Sequence, residues 1–401
     1  MRKIFTVIAL LSLGSCLQES SSTPAESSTF IRYFNGGNND TAQAMEVTAD
    51  GGFIILATTT VKKTDADKPK NKIKLIRTDK FGNQVWQSLF PAATDTTKNY
   101  TASSLQILPD GGYVITGEDI QTNNTNKILL MTVNDSGEAT GAPTSLGAFS
   151  SGRAVAADAQ GYFVLSTSGQ DLMRLSKVDK NNLSTILWSK EYTAGVTLLA
   201  RRLFVDEQGK LLWAGAANKS GLIGIRMIKT LPNSENTDFD LLISVPGINE
   251  VAFDFCRFGF TYAIVGSTNQ KGTTAGADTD ILFKRLNSDG TVLSTQSFPF
   301  DGQNDVGNSI SSTSDGGLIL LASVNSTGLG KAGQGDNDYY LIKIDGFGGT
   351  TWTSSFGSRF KDDGVTVRQA TDGGYVVLGT TTQGGIKLLS LMKTDKNGKI
   401  Q

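Results

Sequence analysis

A chain of 401 residues with 37 basic and 38 acidic side chains has no excess charge with which to hold a nucleic acid, so none is expected as a partner. Histidine is absent, which removes Ser-His-Asp and Cys-His nucleophile systems, the HExxH zinc helix and the facial iron triad from what the chain can assemble alone. The 45 glycines, abundant Ser and Thr and the lack of long amphipathic helical stretches point to an all-β chain full of turns.

The chain opens "MRKIFTVIALLSLGSC", with Arg2 and Lys3 before an apolar run from Ile4 to Leu13. A run of about ten residues is too short to span a bilayer as a helix, which reads as a cleaved export signal. The segment Leu13-Gly14-Ser15-Cys16 resembles the lipobox of bacterial lipoproteins, which implies acylation of Cys16 and anchoring to a membrane through that lipid. The expected division is a signal peptide over 1–15, the lipidated cysteine and a polar, Ser-rich tether over 16–28, and one domain over 29–401. Gln18 and Glu19 resemble only weakly the acidic surface-display signal of Bacteroidota lipoproteins, so an outer-membrane site on either the periplasmic or the cell-surface side is expected. Cys256, in "VAFDFCRFGF", reads as a buried small hydrophobe.

From residue 29 the chain repeats itself. Residues 29–60 align without a gap on 351–382, with Phe30 on Trp352, Phe34 on Phe356, Asp40 on Asp362 and Asp50 on Asp372. The shared phrase "DGGY" recurs at Asp110 and Asp315 and, worn, at Gly161, Gly209 and Gly259, which gives seven copies at the spacing of propeller blades. Each copy reads as four strands. In the first, "QAMEVTAD" turns through Asp50-Gly51-Gly52 into "FIILATTT", and "KIKLIRTD" turns through Asp79 to Gly82 into "QVWQSLF", both with hairpin chemistry. The last copy stops after its third strand, and residues 29–37 supply the missing fourth from the other end of the chain. The fold predicted is a seven-bladed β-propeller of four-stranded antiparallel blades, closed by that N-terminal strand.

The phrase resembles the DGGY-type repeats of exported Bacteroidota and archaeal proteins, a functionally mixed group, so the resemblance implies fold and secretion. Two other propeller families compare less well. The Asp box of sialidases has its glycine and tryptophan at a different spacing from Asp79-x-x-Gly82-x-x-x-Trp86. The quinoprotein-like motif is nearer, but the cofactor and calcium pocket of the quinone-dependent dehydrogenases has no counterpart here, and no cofactor or metal is expected.

Tight turns share one face of such a ring, and the variable loops share the other, where binding is expected. Candidate partner-binding residues on that loop face are Asp40, Lys63, Asp65, Tyr100, Asp305, Asp336, Asp338, Tyr339, Arg359, Asp362 and Asp363, centred where blades six, seven and one meet. The aspartates read either as a ring around the pore mouth or as structural partners of backbone amides at strand starts. The basic residues Arg77, Lys177, Arg285, Lys343 and Lys393, each two places before a turn Asp or Asn, read as partners of turn carboxylates. The first functional expectation is a non-enzymatic lipoprotein, a monomeric propeller or a member of an envelope complex, that binds a protein or glycan. The alternatives are a carboxylate-based glycosidase or lyase using Asp40, Asp305, Asp338, Asp362 or Asp363, and a scaffold for outer-membrane assembly.

Overall fold

The computed structural model describes residues 28–62, 68–95, 97–122, 125–147, 151–168, 172–193, 202–206, 208–219, 221–231, 234, 236–271, 274–300, 304–325 and 336–400. The expected signal peptide, Cys16 and nearly all of the tether lie outside them, as do Lys63 and Asp65.

The described residues form seven four-stranded antiparallel sheets. The first is β2 (Asn39–Val47), β3 (Phe53–Val61), β4 (Lys70–Thr78) and β5 (Gln84–Phe90), counted from the axis outward. The seventh is β26 (Lys361–Gln369), β27 (Tyr375–Gln383) and β28 (Ile386–Thr394), finished on its outside by β1 (Phe30–Phe34). The ring is therefore a seven-bladed propeller, closed as the repeat predicts. Phe30 shows how fully β1 replaces an ordinary outer strand. A Cβ on Gly82 would sit 2.5 Å from the Phe30 ring, just as one on Gly137 would meet Trp86 at 2.7 Å and one on Gly398 would meet Trp352 at 2.5 Å. Each outer-strand aromatic thus lies against the turn glycine of the next blade, and Phe30 does so for blade one.

Second and third strands are apolar on both faces because each sheet is packed between two others: all seven residues from Phe53 to Thr59 are buried. Six of the seven innermost strands share a β-bulge at one position, between Ala42 and Ala44, Ala102 and Ser104, Gly152 and Ala154, Ala252 and Asp254, Gly307 and Ser309, and Gly364 and Thr366. The residue before the bulge is Ala or Gly because it abuts the preceding blade; a Cβ on Gly307 would come within 2.4 Å of Val265. Hydroxyls of one blade accept backbone N–H groups at this point from the next. Thr58 takes Ala102 at 3.0 Å, Ser323 takes Gly364 at 2.9 Å, and Thr380 takes Ala42 at 3.0 Å across the closure. The bulge frees an N–H from its own ladder, and the neighbouring blade satisfies it.

On the turn face, Asp50 accepts from Gly52 N–H and Thr48 O–H, and Gly51 takes φ 83°. The recurrent basic residues pair with the turn carboxylates of their own blades: Arg77 with Asp50 at 2.6 Å, Lys177 with Asp158 at 2.8 Å, Lys343 with Asp315 at 2.9 Å, and Lys393 with Asp372. Arg285 departs from the pattern, because blade five has a Phe258-Gly259-Phe260 turn with no acid. It stacks on Phe258 and donates to the Phe347 carbonyl of blade six at 2.6 Å.

Candidate functional site: a carboxylate pair at the blade six and seven seam

The inner strands begin on the loop face, and each has an acid or its replacement near its start. Asp40 is fully buried and bonded to Lys74 at 2.7 Å. Glu250, its equivalent in blade five, is bonded to Lys284 at 2.6 Å and is also fully buried. Asp305 in blade six accepts the Asn325 N–H at 3.0 Å. In blade two the place belongs to Tyr100, whose hydroxyl is pushed up by burial and by Asp119 and Asp95. Those four are parts of the packed ring, with Asp40 and Glu250 each bonded to a lysine of their own blade.

Blade seven differs. Asp362 is 2% exposed and accepts from Ser358 N–H at 2.7 Å, Ser358 O–H at 2.8 Å, and Thr381 O–H. No lysine among the described residues answers it. Strand alternation turns Asp362 away from the axis toward blade six, where β24 (Asp338–Ile344) begins. The backbones meet there, with Asp362 N–H donating to the Asn337 carbonyl at 2.8 Å.

Asp338 is the neighbour so placed. It is 2% exposed, and its Oδ1 is buried with no hydrogen-bond partner among the described residues. That oxygen lies beneath exposed Gly357, in the space a side chain would take: a Cβ there would be 1.7 Å away. Burial and the adjacent Asp362 charge push the Asp338 carboxyl up to about 6. The Asp338 carboxyl therefore keeps its proton through mildly acid pH.

Around the pair, Asn337 Nδ2 donates to Asp363 at 2.7 Å, and exposed Lys361 bonds Asp363 at 2.9 Å. Asp336 and Arg359 are exposed, and the Arg359 guanidinium lies 5.0 Å from the Phe360 ring centre. Tyr339 faces the interior instead. It is 5% exposed and bonded to the Ser390 hydroxyl, so it supplies packing and no stacking platform.

The axis holds a second feature, which sequence reasoning missed. A cavity of about 730 Å³ is lined by all seven inner strands. Glu46 pairs with Arg368 at 2.7 Å; burial works to raise its pKa, and Arg368 outweighs it to leave the pKa lowered. Asp254 accepts from Ser309 O–H and Ile310 N–H, with Arg202 3.4 Å away. Gln43, Asn308 and Arg153 add donors, and Phe253 adds an aromatic face. The signal was present as charged residues at equivalent inner-strand positions, Glu46 and Arg368, which in isolation read as a solvent-facing edge. Cys256, expected buried, occupies the same strand position in blade five and is partly exposed, with its thiol pushed up to about 12 by burial.

The sequence matches no family model and no curated protein. Solved structures match over nearly the whole chain. An α-L-arabinanase from Penicillium chrysogenum, solved with arabinobiose, gives a TM-score of 0.50 at 12% identity, covering 92% of this chain and 96% of its own. An α-L-arabinofuranosidase from Fusarium graminearum gives 0.52 at 10% identity, covering 91% and 94%. At such identities the likeness establishes the shared propeller fold. The two neighbours are named as an arabinanase and an arabinofuranosidase, which runs against the non-enzymatic binding propeller placed first and toward its carbohydrate-active alternative.

Proposed function

We propose that the protein is a carbohydrate-active enzyme that cleaves a glycosidic bond with carboxylates at the seam of blades six and seven. The observation that carries this reading is the Asp338 and Asp362 pair, two buried carboxyls of adjacent blades, of which Asp338 is raised by burial and by the charge of the other. Glycoside cleavage needs one carboxyl that holds a proton for the leaving oxygen and one carboxylate that meets the positive charge developing at the anomeric carbon. Asp338, pushed up to about 6, fits the first role. Its proton passes to the glycosidic oxygen as the C–O bond breaks, and a water adds to the anomeric carbon in its place, the proton that water gives up restoring the Asp338 carboxyl. Asp362, fixed by Ser358 and Thr381, fits the second. Neither role uses histidine, so its absence is no obstacle.

The test is release of reducing ends from a set of oligosaccharides that includes linear arabino-oligosaccharides, at pH 5, by the wild type and by Asp338→Asn and Asp362→Asn. Cleavage by the wild type that is lost in both variants supports the reading. Cleavage that survives in both, or no cleavage of any glycan by the wild type, overturns it.

A further inference from the structure

The turn face, opposite the carboxylate pair, has two unusual side chains. Phe260 and Phe347 are 90% and 91% exposed, the two most exposed large hydrophobic residues among those described. Phe260 projects from the turn between β18 (Glu250–Phe258) and β19 (Thr261–Lys271), and Phe347 from the turn between β24 and β25 (Thr350–Phe356). These turns belong to adjacent blades, and Arg285 ties them together by stacking on Phe258 and donating to the Phe347 carbonyl. Leu231, 42% exposed, projects from the corresponding turn of blade four. Nothing in the packing of the blades calls for these side chains. Among the described residues, the other hairpin turns of this face have mostly small or polar residues at their tips, with Phe81 and Leu183 partly buried and Pro109 exposed.

The chain enters the ring on this same face. In β1, Phe30 lies opposite Lys393 and Phe34 opposite Leu389. Since β28 ends at the Asp395–Gly398 turn, β1 starts beside that turn and runs away from it. The 13 steps from Cys16 to Thr29 span at most roughly 45 Å when fully extended. A lipid on Cys16 would thus hold the turn face near the bilayer and leave the loop face, with Asp338 and Asp362, pointing outward.

We propose that the turn face of blades four to six docks on the phospholipid bilayer, with Phe260 and Phe347 inserted at its interface. Rigid aromatic side chains at exposed turn tips suit the headgroup boundary, where an apolar body loses contact with water and no buried polar group is left unpaired. Charge does not drive the contact. Acidic residues such as Asp79, Asp135, Asp289, Asp345 and Asp395 alternate with Lys80, Arg257 and Lys396 across this face, so anionic lipid gains little over zwitterionic lipid. The inference uses the lipobox reading and the two exposed phenylalanines, and does not depend on the catalytic proposal.

The test uses the acylated full chain on phosphatidylcholine vesicles and follows amide hydrogen exchange at 258–261 and 345–349. Membrane attachment is expected to slow exchange in both segments roughly tenfold relative to detergent solution, with no slowing at 357–361 and no dependence on salt. The Phe260→Ser/Phe347→Ser variant, altered only at exposed tips, is expected to stay attached through its lipid and to lose the slowing. Equal exchange in the attached and free wild type would overturn the proposal, as would protection of 357–361 instead. Slowing that appears in detergent and grows with protein concentration would assign the patch to a second copy of the chain and overturn it as well.

Discussion

Blade one and the seam of blades six and seven are built on one register and treat charge in opposite ways. Asp40 lies opposite Thr59, and Lys74 opposite Ala57; in blade seven the same places hold Asp362 opposite Thr381 and Ser390 opposite Gly379. Two residues before Lys74 stands Lys72, whose ammonium bonds the Ala92 and Asp95 carbonyls; in blade six that place is Asp338. Blade one thus has lysines at both positions. The seam has a hydroxyl at one and a second carboxylate at the other. An acid with a lysine becomes a structural ion pair, whereas an acid facing an acid must share its field, and one of the two keeps its proton. The seam of blades five and six repeats the arrangement, with Asp280 on the third strand of blade five and the Asp305 N–H on the Thr279 carbonyl at 2.8 Å, so the contrast is with blade one and not with the whole ring.

The largest effect expected is on activity. Asp338→Asn removes the proton donor without changing its shape, and cleavage should fall roughly 10²- to 10⁴-fold, the usual contribution of a positioned acid. The wild-type rate should decline as pH rises through about 6, because the donor then ionises. Asp362→Asn removes the charge that raises Asp338, so any residual activity in that variant should show its alkaline decline at lower pH. An unchanged profile would separate the two groups and break the contrast with blade one.

Next in size is the stability of the ion pair on the other side of the comparison. Lys74→Met leaves Asp40 fully buried with no cation and should cost about 3 to 5 kcal/mol in urea unfolding. The double variant Lys74→Met/Asp40→Leu should recover most of that loss, since the cost lies in the stranded charge. Loss of activity beyond that explained by unfolding would place Asp40 in the chemistry and contradict its structural assignment.

Asp338 should also show a smaller effect on stability, of opposite sign. Its folded pKa lies above the ordinary value of 3.8, so the folded state holds this proton more tightly than the unfolded chain does. Its contribution is complete below about pH 4 and declines as pH rises through about 6, after which the ionised, buried carboxylate is a standing cost. Asp338→Asn, neutral throughout, should therefore match the wild type near pH 4 and exceed it near pH 8 by on the order of 1 to 3 kcal/mol. A variant that is both inactive and more stable at pH 8 is what a strained functional carboxylate predicts. Equal stability at both pH values would mean that the carboxyl is not strained.

Much of this was legible before any coordinates. Seven copies of the turn phrase, their four-strand rhythm and the fourth strand displaced to residues 29–37 dictate the closed ring, since Asp-Gly turns and alternating apolar strands leave little else for the chain to build. Asp338 and Asp362 were both legible as strand-start acids, in a set that also held Asp40 and Asp305. What separated them was invisible in one dimension. The pairing joins two blades through residues 24 apart, and its consequence depends on a lysine that is missing at Ser390. The axial charges were illegible for a related reason: Arg202 and Asp254 come from worn blades four and five, where the repeat offers no frame for judging an unusual residue. Burial of Tyr100 and Tyr339 was undecidable because an aromatic at a strand start reads the same on a loop or in a seam.

The smallest predicted effect concerns a feature shared by blades one, six and seven, the ion pair at the Asp-Gly-Gly turn. Thr48, Arg77 and the Gly52 amide bond Asp50 and hold its carboxyl down to about 2. At Asp315 burial works the other way, and Thr313, Lys343 and Gly317 overcome it to the same value. Both acids titrate below their unfolded values, so their contribution is present above about pH 4 and is lost as pH falls toward 2. Their side chains are 66% and 59% exposed, and solvent screening limits each pair to below about 1 kcal/mol. The wild type should lose slightly more melting temperature between pH 4 and pH 2 than Asp50→Asn/Asp315→Asn, by roughly 1 to 3 °C. Blade five sharpens the point, because it has no acid at this turn and keeps its hairpin through the Phe258 and Arg285 stack. A larger acid-dependent difference would show that the turn ion pairs bear the ring's stability. The expected small one leaves that task to the apolar faces between blades and to the inter-blade hydrogen bonds at Ala42, Ala102 and Gly364.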